Sequence, residues 1–450
     1  MSCTKKRGKE LYRNLKKEGV KFVRLEFTDI LGIPKDVELT IDELPKAFEE
    51  GIPFDGSSIE GFARISESDM YLQPDPDSVI VYPWESSTTG GENYRNAGVI
   101  CDVFTPDGEP FQGDPRWVLK NIMGEAKEMG YEMFVGPEPE FFLFSEMEDY
   151  APILHDNGSY FDLVPVDKGE RTRKEIVISL EKIGFQVETA HHEVAPSQHE
   201  IDFQYDEALK IADQIMNFRT TTKTIALFRD LRATFMPKPL PGENGSGMHT
   251  HISLFSGDKN VFYKKSNPYK LSDIGLHFIA GIIEHIEALT AITNPTVNSY
   301  KRLVPGYEAP VNISWGRVNR SALIRIPSTN TPEISTRIEL RSPDPSANPY
   351  LAFAAILKAG LHGIKEKIKP PKPVDEDIYN MSTSMKEERK IESLPSSLGR
   401  ALDALEEDEL IQNALGPHIT EKFIKAKREE EKEYKKSVSE WELKKYIHYY

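Results

Sequence analysis

The sequence predicts an α+β fold of two domains, the larger one a curved, mainly antiparallel sheet backed by helices. Three observations lead there. The chain has 450 residues, beyond the ~250–300 at which one core stops growing. From residue 115 onward, long helical periods alternate with strand-like runs. Several of those strands place charged residues two apart: Glu138 and Glu140, His249 and His251, then Arg337, Glu339 and Arg341. Side chains two apart share a strand face, and a doubly wound sheet buried on both sides has no room for such faces. One face of the larger sheet is therefore expected to open on a polar cavity.

The first domain, 1–108, starts with a short amphipathic helix over 9–19 that turns Leu11, Tyr12 and Leu15 inward and closes on Gly19. Strands over 20–29 and 33–39 flank the turn Ile30-Leu31-Gly32, as in an antiparallel hairpin. A second helix covers 43–50, and the glycines and serines of Phe54-Asp-Gly-Ser-Ser-Ile-Glu-Gly61 predict an ordered loop. Proline-punctuated extended pieces over 69–83 and a strand over 98–104 lead to Thr105-Pro-Asp-Gly-Glu-Pro110, the turn that marks the boundary.

The second domain, 109–450, opens with a helix over 116–129, with Pro115 in its first turn and Gly130 as its cap. Strand 131–144, helix 170–183, strand 185–192, helix 206–226 and strand 229–235 follow. Strand 247–255, helix 272–291, strands 311–316, 321–326 and 334–341, and helix 347–365 complete its middle. After Lys369-Pro-Pro-Lys-Pro373 come charged helices near 384–391, 396–407 and 418–443, the last read as too polar for a core. No internal repeat is visible.

Composition narrows the function. Fifty-six Lys+Arg against 72 Asp+Glu leave a net charge of −16, which argues against a nucleic-acid surface. Two cysteines, Cys3 and Cys101, rule out a disulfide framework and a thiolate metal cluster. The basic start has no apolar run behind it, and no run of ~18 apolar residues offers a membrane span, so the expected location is the cytoplasm.

Hard divalent ions take carboxylate oxygens, and Mn²⁺ also accepts imidazole. Glu138, Glu140, Glu193, Glu200, His249 and Glu339 suffice for two three-ligand sets. Asn244-Gly-Ser-Gly247 allows close backbone approach before His249, while neither a P-loop nor a Gly-x-Gly-x-x-Gly fingerprint is present. Lys238, Arg320, Arg325, Arg337 and Arg341 are candidate phosphate partners, and 300–310, with Arg302 and Glu308, is a candidate lid. Each group has an ordinary alternative. Glu138 and Glu140 fit a solvated edge strand, and His191-His192-Glu193 an exposed strand end. His249 and His251 fit a hydrogen-bonded core, and 300–310 a surface loop.

Six segments, in order, carry a resemblance. They are Phe54-Asp-Gly-Ser-Ser-Ile59, Gly136-Pro-Glu-Pro-Glu-Phe141, Asn244-Gly-Ser-Gly-Met-His-Thr-His251, Lys301-Arg-Leu-Val-Pro-Gly-Tyr-Glu-Ala-Pro310, Asn319-Arg-Ser-Ala322 and Arg341-Ser-Pro-Asp-Pro345. From about Lys9 to its end the chain resembles type I glutamine synthetase, which joins ammonia to glutamate at the expense of ATP. The resemblance implies a β-grasp-like N-terminal domain and a catalytic domain binding two or three Mg²⁺ or Mn²⁺ ions per site. Glu140, Glu193 and Glu200 would hold the ion nearer glutamate and ammonia, and Glu138, His249 and Glu339 the ion nearer the ATP phosphates. Gly245, Arg302, Arg320 and Arg341 match substrate-binding positions, Arg320 and Arg341 also acting on the transition state. Tyr205, His251, Ser253, Arg325 and Arg337 match the nucleotide-binding set. Asp55, brought by an adjacent subunit with Ser58 in the same latch, would deprotonate ammonium beside the flap residue Glu308. The assembly implied is a homododecamer of two stacked hexameric rings.

The stretch between Phe144 and Asp162 is short, as in the subclass without the insertion of covalently regulated relatives, so no adenylylation is expected near Tyr379. Arg64 matches a position used for glutamine feedback in some relatives. Activation by 2-oxoglutarate and inhibition by a small partner protein also occur in similar enzymes, and the sequence does not choose among them. Two rivals remain: a ligase of the same fold that acts on a polyamine or other amine, and a catalytically silent structural or regulatory homologue.

Overall fold

The computed structural model describes residues 2–57, 59, 61, 69–148, 151–317 and 319–450. Arg64 and Ser58 lie outside the described residues.

The small domain wraps two helices, α1 (Ser2–Lys17) and α2 (Leu44–Glu50), against a six-stranded sheet. Its strands are β1 (Val20–Thr28), β2 (Pro34–Thr40), β3 (Ile52–Asp55), β4 (Asp69–Pro74), β5 (Ile80–Ser87) and β6 (Asn93–Phe104). β1 and β2 form the expected hairpin, with Thr28 opposite Pro34, and β1 then pairs in parallel with β6. Leu15 is buried, and Leu11 and Tyr12 pack at the margin of the same core, as the helical spacing predicted. The expected loop at 54–61 instead begins on an edge strand, β3, whose last residue is Asp55.

The large domain starts with α3 (Pro115–Glu128), capped by Asp114, which accepts the Arg116 amide at 3.0 Å. Arg116 also ties the domains together, because its guanidinium reaches Asp75 and Asp102 at 2.7 Å and Asp213 at 2.8 Å. Strand β7 (Glu132–Glu148) follows, then β8 (Ala151–Leu154), α4 (Glu170–Lys182), β9 (Val187–His192), β10 (Gln198–Phe203) and β11 (Asp206–Glu207). After these come α5 (Ala208–Phe228), β12 (Arg232–Thr234), β13 (Met248–Ser256), β14 (Lys259–Asn260), α6 (Asp273–Glu284), α7 (Ile286–Thr293) and α8 (Ser299–Arg302). The middle closes with β15 (Asn312–Gly316), β16 (Ala322–Arg325), α9 (Pro332–Ser335), β17 (Ile338–Leu340) and α10 (Pro349–Glu366). The tail is α11 (Thr383–Glu388), α12 (Leu398–Glu407), α13 (Glu409–Lys436) and α14 (Glu440–Tyr446).

The large sheet runs β15-β16-β17-β13-β7-β10-β9, antiparallel at every step except the parallel pair β15–β16. Helices α3, α5, α6, α7 and α10 cover one face of it with a continuous apolar core, leaving the other face free for polar side chains.

Four expectations need correction. The helix expected over 272–291 breaks at His285, and its halves meet at 76°. The strand expected over 334–341 is three residues long, so Arg337 and Arg341 flank it and only Glu339 sits on it. Strand β10, with Glu200 in its middle, was not foreseen. The helix over 418–443 is too polar for a core by its sequence, yet Ile419 and Phe423 join the main one. α13 bends at Gly416 (φ 79°), next to Pro417, which lets its first half pack inward.

Candidate active site

Strand register builds the site. β7 lies at the centre: Glu140 sits opposite Glu200 of β10, and Glu138 opposite His249 of β13. His251 of β13 faces Glu339 of β17, which in turn faces Arg325 of β16. Because Glu138 and Glu140 share one face, as do His249 and His251, this register sets acids, imidazoles and arginine in one row across the sheet. The solvated-edge and ordinary-core alternatives for these residues do not hold.

The row opens on a cavity of about 210 Å³ lined by Glu138, Glu140, Glu193, Glu200, His249, Glu339, Arg302, Arg320, Arg325, Arg341, Gly245 and Glu308, among others. Glu140, Glu200 and Glu339 are buried. Burial would raise the Glu138 carboxyl, but hydrogen bonds from His251 at 2.6 Å and His249 at 3.3 Å outweigh it and hold Glu138 far below the usual range. Glu339 is also lowered: against burial, His251, His249, Arg325 and Arg341 stabilise its charge. Arg325 contacts one of its oxygens, and Arg341 Nε reaches the other at 3.1 Å.

Glu140 and Glu200 behave in the opposite way. Burial pushes both well above the carboxylate range, and neighbouring acids add to the shift, Glu193 for Glu140 and Asp202 for Glu200. Buried carboxylates crowded in this way are relieved by a cation. The donor set therefore suits a hard divalent ion, and the fit is strongest where the acids are least paired.

Two ligand groupings differ from the sequence expectation. The ligand atoms of Glu138, His251 and Glu339 lie within 4.8 Å of one another, so His251 meets this set as closely as His249 does. On the other side His191, Glu200 and Asp202 converge within the same limit. His191 Nε2 is 2.8 Å from Glu193 and 3.6 Å from Glu200.

Glycine is required at two points of the rim. A Cβ on Gly245 would lie 2.3 Å from the Pro237 carbonyl oxygen, and one on Gly247 would lie 2.5 Å from the Arg302 guanidinium. Arg302 is buried, and its NH1 donates to the Ser342 carbonyl at 2.7 Å, which fixes its direction. Lys238 instead binds the Glu243 carbonyl and lies 3.6 Å from the Tyr307 ring centroid, so it braces the 300–310 segment and is absent from the cavity lining.

A second cavity of about 380 Å³ shares Glu138 with the first and is lined by Tyr205, His251, Ser253 and Arg337. Tyr205 precedes α5 and is 45% exposed, so its helix does not bury it. Arg337 Nε donates to His251 Nδ1 at 3.1 Å.

Asp55 lines neither opening. It is exposed on the small domain's edge strand, and the Ser57 hydroxyl and amide hold its carboxyl below the usual range. Sequence reasoning missed Gln198, whose side-chain NH₂ donates to Glu140 at 2.8 Å, and Tyr160, which sits beside Arg320. Gln198, Glu200 and Asp202 alternate on β10, and that period was the available signal.

Two family models cover the chain: the glutamine synthetase β-grasp domain over residues 19–106 and the glutamine synthetase catalytic domain over 112–446. The chain belongs to the glutamine synthetase family. It is 54% identical to the glutamine synthetase of Thermotoga maritima over 97% of this chain and 98% of that one. It is 52% identical to the Halobacterium salinarum enzyme over 96% and 95%, and 50% identical to the Thermus thermophilus enzyme over 97% and 98%. Among solved structures it superposes on a GmaS–ADP complex with a TM-score of 0.87, at 32% identity over 97% of this chain and 99% of that one. The cryo-EM Plasmodium falciparum glutamine synthetase gives 0.85, at 29% identity over 98% of each chain. As a glutamine synthetase this chain is an ATP-dependent ligase, and the β-grasp architecture expected of its first domain is confirmed. The rival readings are not favoured at this identity over the full length.

Proposed function

We propose that the row across β7 activates glutamate as γ-glutamyl phosphate and that ammonia then displaces the phosphate. The observation that carries this reading is the register, which brings carboxylates and guanidinium groups to one opening beside a second, aromatic-walled cavity. ATP places its adenine against Tyr205 and its phosphates toward His251, Ser253, Arg325 and Arg337. Glutamate lies along Gly245 with its carboxylates toward Arg302, Arg320 and Arg341.

The glutamate side-chain carboxylate attacks the γ-phosphorus, the bond to ADP breaks, and Arg320 and Arg341 offset charge on the transferred oxygens. Glu140, Glu193 and Glu200 would hold one Mg²⁺ or Mn²⁺ ion, and Glu138, His249 and Glu339 another. Bound there, the cations would neutralise phosphate oxygens. Ammonium has no free lone pair, so Asp55 with Glu308 takes its proton. The resulting ammonia adds to the activated carbonyl, the added nitrogen gives up a second proton to the same carboxylates, and inorganic phosphate leaves. Closure of the lid around Glu308 excludes water that would hydrolyse the acyl phosphate.

Asp55 is exposed and outside this chain's own cavity, which supports a site completed by an adjacent subunit in a homododecamer of two stacked hexameric rings. A cytoplasmic location, where ATP and glutamate are supplied together, belongs to the same reading. The Tyr379 hydroxyl donates to the Ala309 carbonyl at 2.7 Å, which supports a subclass in which that tyrosine braces the lid and is not adenylylated.

Subunit mixing tests the reading. Asp55→Ala and Arg320→Ala should each be nearly inactive alone with ATP, glutamate and ammonium, while co-assembled mixtures should recover part of the glutamine formation. Asp55→Ala with normal ammonium kinetics, or mixtures as inactive as the parents, would remove the shared site. Polyamines outcompeting ammonium in the wild type would restore the amine-ligase reading. Running the wild type with and without 2-oxoglutarate and glutamine identifies its effectors.

A further inference from the structure

The break at His285 has no part in the reaction. There the chain leaves α6 and turns by 76° into α7, and the His285 ring points into a separate cavity of about 690 Å³ that shares no lining residue with the catalytic one. Asp408, between α12 and α13, accepts from His285 Nδ1 at 2.6 Å. That bond places the proton on Nδ1 and leaves the Nε2 lone pair directed outward. Nε2 faces a second imidazole nitrogen, His362 Nδ1 of α10, at 3.0 Å. A Glu284 carboxylate oxygen joins them, all three ligand atoms lying within 4.8 Å.

The geometry points to a transition-metal site of the Zn²⁺ class, with His285 Nε2, His362 Nδ1 and Glu284 as ligands and water completing the shell. Two nitrogens bound tetrahedrally to zinc lie ~3.3 Å apart, given Zn–N bonds of about 2.0–2.1 Å. The observed 3.0 Å therefore needs only a small ring rotation, with the His362 proton moving from Nδ1 to Nε2 as the ion binds. A carboxylate behind a ligating histidine, fixing its tautomer, is the usual companion of such an ion. The cavity lining adds Glu287, Glu392, Glu407 and Glu409 and, among the described residues, holds no lysine or arginine that would repel a cation. Two imidazoles with one carboxylate select a borderline ion over Mg²⁺.

A second buried cluster shows what such a site must avoid. Asp156, Asp167, His192 and His199 also converge, but Arg173 donates to His199 Nδ1 at 2.8 Å and to Asp167 at 2.7 Å. A guanidinium already fills the cation's place there and leaves His199 no tautomer free to ligate. Among the described residues the His285 group has no such resident. An ion there would clip together the α6–α7 break, α10 and the α12–α13 junction, three segments distant in sequence.

Zn²⁺ titration of the intact enzyme against a chromophoric chelator, in excess Mg²⁺ to fill the catalytic cavity, tests this. One tight equivalent per subunit is expected in the wild type and in Glu339→Ala. It should be lost in His362→Gln, whose Mg²⁺-supported glutamine formation stays at the wild-type level. Asp408→Asn should weaken it by about 10- to 100-fold. Co²⁺ in place of Zn²⁺ should show tetrahedral absorption in the wild type alone of the His362 pair. Equal Zn²⁺ stoichiometry and affinity in wild type and His362→Gln would overturn the assignment, leaving a plain histidine–histidine hydrogen bond. So would an equivalent that is lost in Glu339→Ala but kept in His362→Gln.

Discussion

The two ends of the acidic row are built on opposite principles. At the β13 end, Glu138 and Glu339 are paired with His249, His251, Arg325 and Arg341, and both carboxyls are lowered. At the β10 end, Glu140, Glu193 and Glu200 crowd one another, and Glu140 and Glu200 are raised. The first end is electrostatically satisfied by protein alone, so a cation there competes with imidazole and guanidinium partners. The second is left in deficit and calls for the ion itself. Two carboxylate groups within a single strand's reach thus differ in how far protein partners already neutralise them.

The largest effect is expected from Glu140→Gln, which removes a central charge of the crowded end. Glutamine formation should fall by about 10²–10³-fold in kcat, the scale set by losing one group that stabilises transition-state charge. A kcat within a few-fold of wild type would show that this end is not catalytic. Glu339→Ala acts on the satisfied end and leaves Arg325 and Arg341 without their shared partner. Nucleotide-coupled metal affinity should drop by about 10- to 100-fold, the range for losing a supporting ligand contact. Calorimetric titration giving unchanged metal and nucleotide affinity would contradict it.

A pH series separates the ends more sharply. Raised carboxyls keep their protons above the ordinary carboxylate range and must release them to an incoming ion, so metal affinity at the β10 end should tighten as pH rises. The lowered β13 carboxylates are ionised before that range is reached and add no such slope. Mn²⁺ isotherms should therefore keep their pH dependence in Glu339→Ala and lose most of it in Glu140→Gln. The same slope in both variants would erase the distinction.

Asp114 provides a control of smaller effect, a buried carboxyl with no metal role. Burial and the Asp102 charge push it up to about 7 from 3.8, against two backbone amides that favour its charge. A folded value above the unfolded one means its stabilising contribution is full below pH ~4 and is lost as pH rises through about 7. Asp114→Asn should flatten the decline of the denaturation midpoint over that window. An unchanged slope would show that burial shifts Asp114 less than supposed.

Much of the site is legible in the sequence. Glu138, Glu140, His249 and His251 announced a polar sheet face through their spacing alone, and the long helices behind it followed from apolar period. What spacing cannot supply is register. Both histidines share the face, and only the pairing of His251 with Glu339 shows that His251 meets the ligand set too. β10 escaped notice because it is six residues long and is entered from Ser197 at φ 65°, a turn no local composition signals. The break at His285 was hidden for a different reason: its apolar period continues unbroken into α7, and the turn is made by contacts with Asp408 and His362 far along the chain. In the second half of α13, charged residues on the outer face mask the few apolar ones, Ile419 and Phe423, that enter the core.

The central claim is that the row across β7 couples ATP cleavage to amide formation, and product stoichiometry tests it most directly. Purified enzyme given ATP, glutamate, ammonium and Mg²⁺ should yield glutamine, ADP and phosphate in equal amounts, with all three falling together in Glu140→Gln. ATP cleavage that proceeds without matching glutamine, or persists undiminished in that variant, would contradict the account.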